Sequence, residues 1–425
     1  MNGPTEAARL QHPDIRETRF LSALNPDVAR ALGDSLAGRE ISEDDATLLF
    51  DAEGAELSAL LAVADHFRRE ANGDLVTFVV NRNINFTNRC FVGCKFCNFK
   101  VRGDSPDAYF QDLDEVARRA DEAVARGATE VCIQAGLNKN LPGSHYEAVL
   151  RAIRARQPNL HIHSYSPMEI HYGAKRTGRT LRDQLIALRE AGLDTIPGTA
   201  AEILVDHVRK RMSPYKLTVA DWVEVITTAH SLGIPTTSTI MFGHIEERRD
   251  WSRHLTVLRN IQRKTGGFSE FVPLAFVHTL TPLYRAGGCR PGPTKEEKLK
   301  MYAVSRIFLR GWIDNIQVSW PKLGPAMAQL CLDAGANDFG GTLMEESISR
   351  MAGAVHGEYV SPDDFRQMTY KMGRVPAQRS TLYRILRLFP HPGKPAVEPD
   401  ALKIPSTAGA PAIEESTMLA EAACL

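Results

Sequence analysis

Neither sign of charge prevails in this chain: 51 basic and 51 acidic side chains give a formal net charge of +0. No one-signed field is therefore expected to draw it to nucleic acid or to an anionic membrane. Long apolar runs are missing too. No stretch approaches the roughly 18 apolar residues that span a bilayer, and Met1 to Asp14 is polar and charged where a secretory signal would have an apolar core. A soluble, cytoplasmic protein is expected. Cysteine is scarce, with seven in 425 residues. Without a secretory signal, that number points to a reducing compartment and argues against a disulfide framework.

Three of those seven stand together, as Cys90, Cys94 and Cys97 in the pattern C-x3-C-x2-C at the end of an apolar, strand-like run. Three thiolates in one short loop can hold three irons of a [4Fe-4S] cluster and leave the fourth iron without a protein ligand. A structural zinc site would want four N or S ligands. The next cysteine, Cys132, lies far on in another apolar run and reads as core, and no second C-x2-C follows. Packing is the other bland reading of the triplet. Cys289, Cys331 and Cys424 are scattered singly and read as buried or incidental thiols. The triplet's spacing is similar to that of the radical S-adenosylmethionine (SAM) enzymes. There the open iron chelates the amino and carboxylate groups of SAM, and a cluster electron splits the sulfonium to give a 5′-deoxyadenosyl radical. Phe96, directly before the third cysteine, suits packing near the adenine of SAM.

Along the chain, residues 1 to 75 read as a helical cap, with Leu48, Leu49, Leu57, Leu60, Leu61 and Val63 near helical spacing. From Leu75 onward, short β-rich runs alternate with amphipathic helices, the pattern of βα units around a parallel sheet. The predicted strands are Phe78 to Phe86, Glu130 to Gln134, His161 to Tyr165, Thr195 to Pro197, Thr236 to Met241, Phe271 to Phe276 and Ile316 to Ser319. Between them run helical patterns such as Asp114 to Arg126, Leu181 to Ala191, Ala220 to Leu232 and Glu296 to Arg310. The fold class is thus α/β: a radical SAM (βα) barrel of TIM type, complete or nearly so, over residues 76 to 345, with an N-terminal helical cap. Residues 346 to 390 are expected to be helical and 391 to 425 a disordered tail. An open doubly wound sheet competes, but no G-x-G-x-x-G follows a strand to support it.

Four stretches, in this order, resemble one family closely: Asn83-Ile84-Asn85-Phe86-Thr87-Asn88 ahead of Cys90; Ser166-Pro167-Met168-Glu169-Ile170; Gly198-Thr199-Ala200-Ala201-Glu202-Ile203-Leu204; and the run from Gly335-Ala336-Asn337-Asp338 through Gly340-Gly341 to Glu345-Glu346. That family is FO synthase subunit 2 (CofH-type), a radical SAM enzyme of deazaflavin coenzyme biosynthesis. The resemblance implies that L-tyrosine and 5-amino-6-(D-ribitylamino)uracil are joined after the Cα–Cβ bond of tyrosine breaks. Hydrogen loss from the tyrosine amine, release of a glycine imine and addition of a 4-hydroxybenzyl radical to the uracil are the implied steps. Implied partners are FO synthase subunit 1 and an electron donor such as ferredoxin or flavodoxin.

In a barrel the chemistry gathers at the C-terminal ends of the strands. The expected metal ligands are Cys90, Cys94 and Cys97. Phe96, Gln134, Ala135, Gly136 and Glu169 are expected to bind the cofactor. Glu169, Glu202, Asn337 and Asp338 are the catalytic candidates, and His244, His278, Lys322, Asn337 and Asp338 would contact substrate. Blander readings stand beside these. Glu202 can favour the dipole at a helix start, Trp320 can be packing, His163 a satisfied core histidine, and Asn337-Asp338 with the glycines a turn. The chain departs from the family at Ala135-Gly136, where Gly-Gly is usual, and at Ala275 and Pro321. Rival readings are an aminofutalosine synthase-like enzyme of menaquinone biosynthesis, a tyrosine-using paralogue with another acceptor, and an iron-sulfur or zinc module without turnover.

Overall fold

A computed structural model describes residues 18–101 and 105–391; the expected tail from 392 and the first 17 residues of the expected cap lie outside them. Helices Pro26–Leu36, Glu43–Phe50 and Gly54–Asn72 precede the first strand. Local chemistry explains their ends: Asn25 accepts from the Asp27 N–H, and Ser42 and Asp45 form a reciprocal capping box, each such cap worth about 1 kcal/mol. The strands are β1 (Leu75–Val79), β2 (Asn81–Ile84), β3 (Glu130–Ile133), β4 (His161–Ser164), β5 (Thr236–Phe242), β6 (Phe268–Ala275), β7 (Asp338–Gly341), β8 (Val375–Arg379) and β9 (Ile385–Leu388).

These strands close a parallel ring of eight staves. β1 and β2 form one stave, broken at Val80, where the sequence pattern reads one strand from Phe78 to Phe86. β2 pairs with β3 and β3 with β4. Single bridges then pass through Thr195 and Ile196 to β5. β5 pairs with β6. Bridges at Ile316 and Gln317 lead on to β7, and β7 pairs with β1. Apolar residues facing outward from these staves meet the helices in one continuous core. Thr218–Asp221 and Thr294–Glu297 capping boxes start two of the return helices.

Residues 346 to 390 are only partly helical, which corrects the sequence expectation. Ser347–Ala352 and Pro362–Lys371 are helices, but β8 and β9 form a hairpin. β8 runs parallel to β1, with Leu75 opposite Val375, and so delivers Arg379 and the turn after it to the N-terminal end of the barrel. Arg379 donates to Asp338 through Nε (2.5 Å) and Nη2 (2.9 Å), Thr381 donates to Glu130 (2.7 Å), and the Tyr383 hydroxyl bonds Glu270. All of these side chains are buried. The hairpin stoppers the base.

Candidate active site

The opposite end of the barrel holds a cavity of about 340 Å³, and Cys90, Cys94 and Cys97 line it. Their loop leaves the first stave and is pinned by the backbone: Cys90 N–H to Val101 O, Phe91 N–H to Leu137 O and Lys95 N–H to Met212 O. Lys100 Nζ adds a bond to Cys94 O at 2.7 Å. Later elements fold over the loop, with the Leu283 N–H on Lys95 O and Asn98 Nδ2 on Met351 O at 2.6 Å. The three thiols are free of disulfides. Burial pushes the Cys94 and Cys97 thiols up, Cys97 to about 11, and each neighbour's charge adds to the cost of ionising the next. Cys94 and Cys97 become thiolates only against strong positive charge, which an iron cluster would provide. Among the described residues no group of His, Cys, Asp and Glu converges on a single ion position. In a cluster each sulfur would take a separate iron.

Beside the loop, Gln134, Ala135, Gly136 and Glu169 line the same cavity. Glu169 sits in the first turn of helix Pro167–Thr177, where Oε2 accepts from the Ser166 N–H and hydroxyl and Oε1 from the Ala135 N–H at 2.9 Å. Burial raises it to about 7 against those donors. The Gly136 N–H goes to Thr87 O. With these N–H groups spent, the backbone here could offer an ammonium only its carbonyl oxygens. A Cβ on Gly136 would lie 2.4 Å from the Arg89 carbonyl oxygen, so the second glycine of the usual pair is required. Ala135 stands where the backbone tolerates a methyl.

Across the cavity, Glu202 is not at a helix start as expected. It lies in a loop at φ 40, four residues ahead of helix Asp206–Met212. Lys216 Nζ bonds its carboxylate at 2.5 Å and also lies 5.3 Å from the Phe96 ring centroid. Burial opposes the Lys216 charge, but Glu202 holds its pKa above the ordinary lysine value. Lys216 was invisible to sequence reasoning, since no spacing ties it to Glu202 or Phe96. Lys322 also reaches the cavity, where Nζ donates to Ser349 Oγ at 2.7 Å; burial lowers its pKa and Glu346 opposes the fall.

Four expected site residues are not brought here. Asp338 opens β7 at the base and is bound by Arg379, and Asn337 Oδ1 accepts from Arg306 (2.9 Å) and from the Ile316 N–H (2.8 Å). Both sit at the N-terminal end of their stave, away from the cavity. His244 is buried between Glu246 (2.6 Å) and Met241 O (2.9 Å) and does not line the cavity. His278 stands 4.4 Å from the Tyr284 ring, also outside it. Cys132, expected in the core, instead lines the cavity wall two residues before Gln134. Trp320 packs, with its indole N–H on Gly341 O at 2.9 Å.

A closed parallel barrel with a three-cysteine loop after its first stave defines a class: the model of the radical SAM superfamily matches residues 84–258. The solved methylornithine synthase (PylB) shares the fold at TM-score 0.65 and 17% identity, over 82% of this chain and 97% of that one, as does the hydrogenase maturase HydG at 0.67 and 14%, over 87% and 85%. The model of the CofH/MqnC C-terminal region matches residues 265–391. A Methanocaldococcus jannaschii protein named 5-amino-6-(D-ribitylamino)uracil--L-tyrosine 4-hydroxyphenyl transferase is 49% identical over 82% of this chain and 98% of its own length. The chain belongs to that family, the FO synthase subunit 2 (CofH-type) enzymes. It is also 52% identical to FO synthase of Mycobacterium tuberculosis over 80% of this chain, but it spans only 40% of that protein's length. No helix among the described residues is long and apolar enough to cross a membrane.

Proposed function

We propose that this chain joins the 4-hydroxybenzyl group of L-tyrosine to 5-amino-6-(D-ribitylamino)uracil by radical SAM chemistry. The observation that carries the reading is the match, at 49% identity, to nearly the whole of a transferase of that name. Cys90, Cys94 and Cys97 would hold a [4Fe-4S] cluster with one iron left for SAM. When bound, cluster and SAM supply a carbon radical able to take a hydrogen atom from substrate. Phe96, steadied by Lys216, offers a flat face to an adenine. Glu169 fixes the Gln134–Gly136 edge beside it and acts on the cofactor chiefly through that edge. Lys322 presents the substrate with a buried ammonium. Leu283 and Met351, folded over the cysteine loop, shield the reaction from water.

FO synthase of Mycobacterium tuberculosis is far longer than the stretch this chain matches, which leaves room in that protein for a second activity. In keeping with this, ring closure to the deazaflavin is assigned to a separate partner resembling FO synthase subunit 1, with ferredoxin or flavodoxin as electron source. The test is anaerobic reconstitution with SAM, tyrosine, the ribityl uracil and reductant, followed by mass spectrometry. The adduct should form without deazaflavin fluorescence until the partner is added, and N-acetyltyrosine should not be consumed. Fluorescence from this chain alone, or an adduct to a different acceptor only, would sink the reading.

A further inference from the structure

Barrel interiors are ordinarily filled by layers of bulky apolar side chains. Below the cysteine-lined cavity this barrel is polar instead, and it keeps a second chamber of about 170 Å³. Buried polar groups are costly unless bonded, and those at the base are: Glu130 and Glu270 are engaged by Thr381, Arg379 and Tyr383. Midway up, the bonding is incomplete. The Gln317 carboxamide lies against Gly340 and makes no hydrogen bond among the described residues. Thr237 Oγ1 accepts from the Gly198 N–H at 2.9 Å and Thr239 Oγ1 donates to Gly198 O at 2.8 Å. Each hydroxyl therefore keeps capacity for a further partner. Asn83 Oδ1 has no partner.

The chamber is blind below, where Arg379 and Thr381 line it, and it shares Asn83, Gln134, Thr199, Thr239 and Lys322 with the upper cavity. A ligand enters it from the reaction site. We propose that this chamber receives the ribityl chain of the second substrate, with Gln317, Thr237 and Thr239 as partners of its hydroxyls; the assignment rests on the transferase reading. The uracil carbon that forms the new bond must face the cysteine-lined cavity, so the unreactive tail points away from it. That tail is a neutral polyol. Low in the chamber Arg379 is paired with Asp338 and Glu270, and Glu130 is bonded by Asn81 and Thr381. Lys322 and Glu346 belong to the part shared with the upper cavity, so the groups below it with bonding capacity to spare are a neutral amide and two hydroxyls. Thr237 and Thr239 point the same way on β5 and stand about 7 Å apart along the strand, comparable to an extended five-carbon chain. The tyrosine ring is better matched by Met241, Leu274 and Phe276 above.

The test uses the reconstituted enzyme with 5-amino-6-(D-ribitylamino)uracil and with an analogue carrying a plain pentyl chain. Wild type should prefer the ribityl compound by at least tenfold in kcat/KM. Gln317→Met should raise KM for the ribityl uracil about tenfold, the scale of one buried hydrogen bond left unmade, with KM for tyrosine changed less than twofold, and should narrow the preference. Thr237→Val is the second variant, and circular dichroism reports folding of both. An adduct from wild type with equal use of both compounds, or two folded variants with unchanged KM, overturns the chamber assignment. Absence of adduct from wild type overturns the transferase reading itself.

Discussion

The two ends of the barrel carry similar residues to opposite purposes. At the base, Asp338, Glu270, Glu130 and Asn337 are all tied to partners on β8, its following turn, a return helix or a neighbouring stave. At the rim, the three thiols line a cavity, and Lys322 reaches it with its Nζ bonded to Ser349 Oγ. A polar residue at a strand end means stability at one end and chemistry at the other. Asn337-Asp338 shows how easily the two are confused, because its turn-like glycine surroundings look the same from either side.

The sharpest contrast comes from removing one residue at each end. Replacing Cys90, Cys94 or Cys97 by Ala should abolish cluster binding and SAM cleavage outright, as iron, sulfide and 5′-deoxyadenosine assays would show, while Cys331→Ala keeps full iron. A triplet variant with full iron and activity would break the rim assignment. At the base, Arg379→Met leaves the buried Asp338 carboxylate unpaired and should cost about 3–5 kcal/mol in denaturant unfolding. Lys322→Met at the rim should instead change KM at small cost in stability. If Arg379→Met unfolds like wild type, the hairpin is not the stopper described above.

The ends should also answer pH with opposite signs. Glu169 at the rim is raised by burial to about 7, above the unfolded value of about 4.3, so the folded state binds more protons in between and stability falls as pH rises through that window. His163, deeper in the barrel, is held by burial at about 4, below about 6.5. Its effect is nil above 6.5 and stability falls as pH drops toward 4. Between pH 5 and 7, wild type should lose about 2 kcal/mol relative to Glu169→Gln as pH rises, and about 2 kcal/mol relative to His163→Gln as pH falls. Urea titrations at both pH values would show whether the slopes share a sign, which would remove the contrast. The smallest effect belongs to Ala135→Gly: KM for SAM should move less than twofold and stability by under about 1 kcal/mol, whereas Gly136→Ala should impair the loop through the Arg89 carbonyl.

The sequence alone determined the cysteine loop, the parallel barrel and most of its staves. Three cysteines within eight residues need no tertiary information to meet, and β-rich runs between amphipathic helices are a local signal. The staves at Thr195 and Ile316 were legible as apolar runs although each makes only single bridges. Tertiary structure decided the rest. Whether a polar residue faces the rim or the base depends on where along its stave it falls once the ring closes, and strand limits shift by several residues between pattern and fold, as at Val80. The Lys216–Glu202–Phe96 cluster exists only because separate loops converge over the same stave ends. The base is settled by the β8–β9 hairpin, whose β8 arrives about 300 residues after its partner β1, and no local pattern reports a partner that distant.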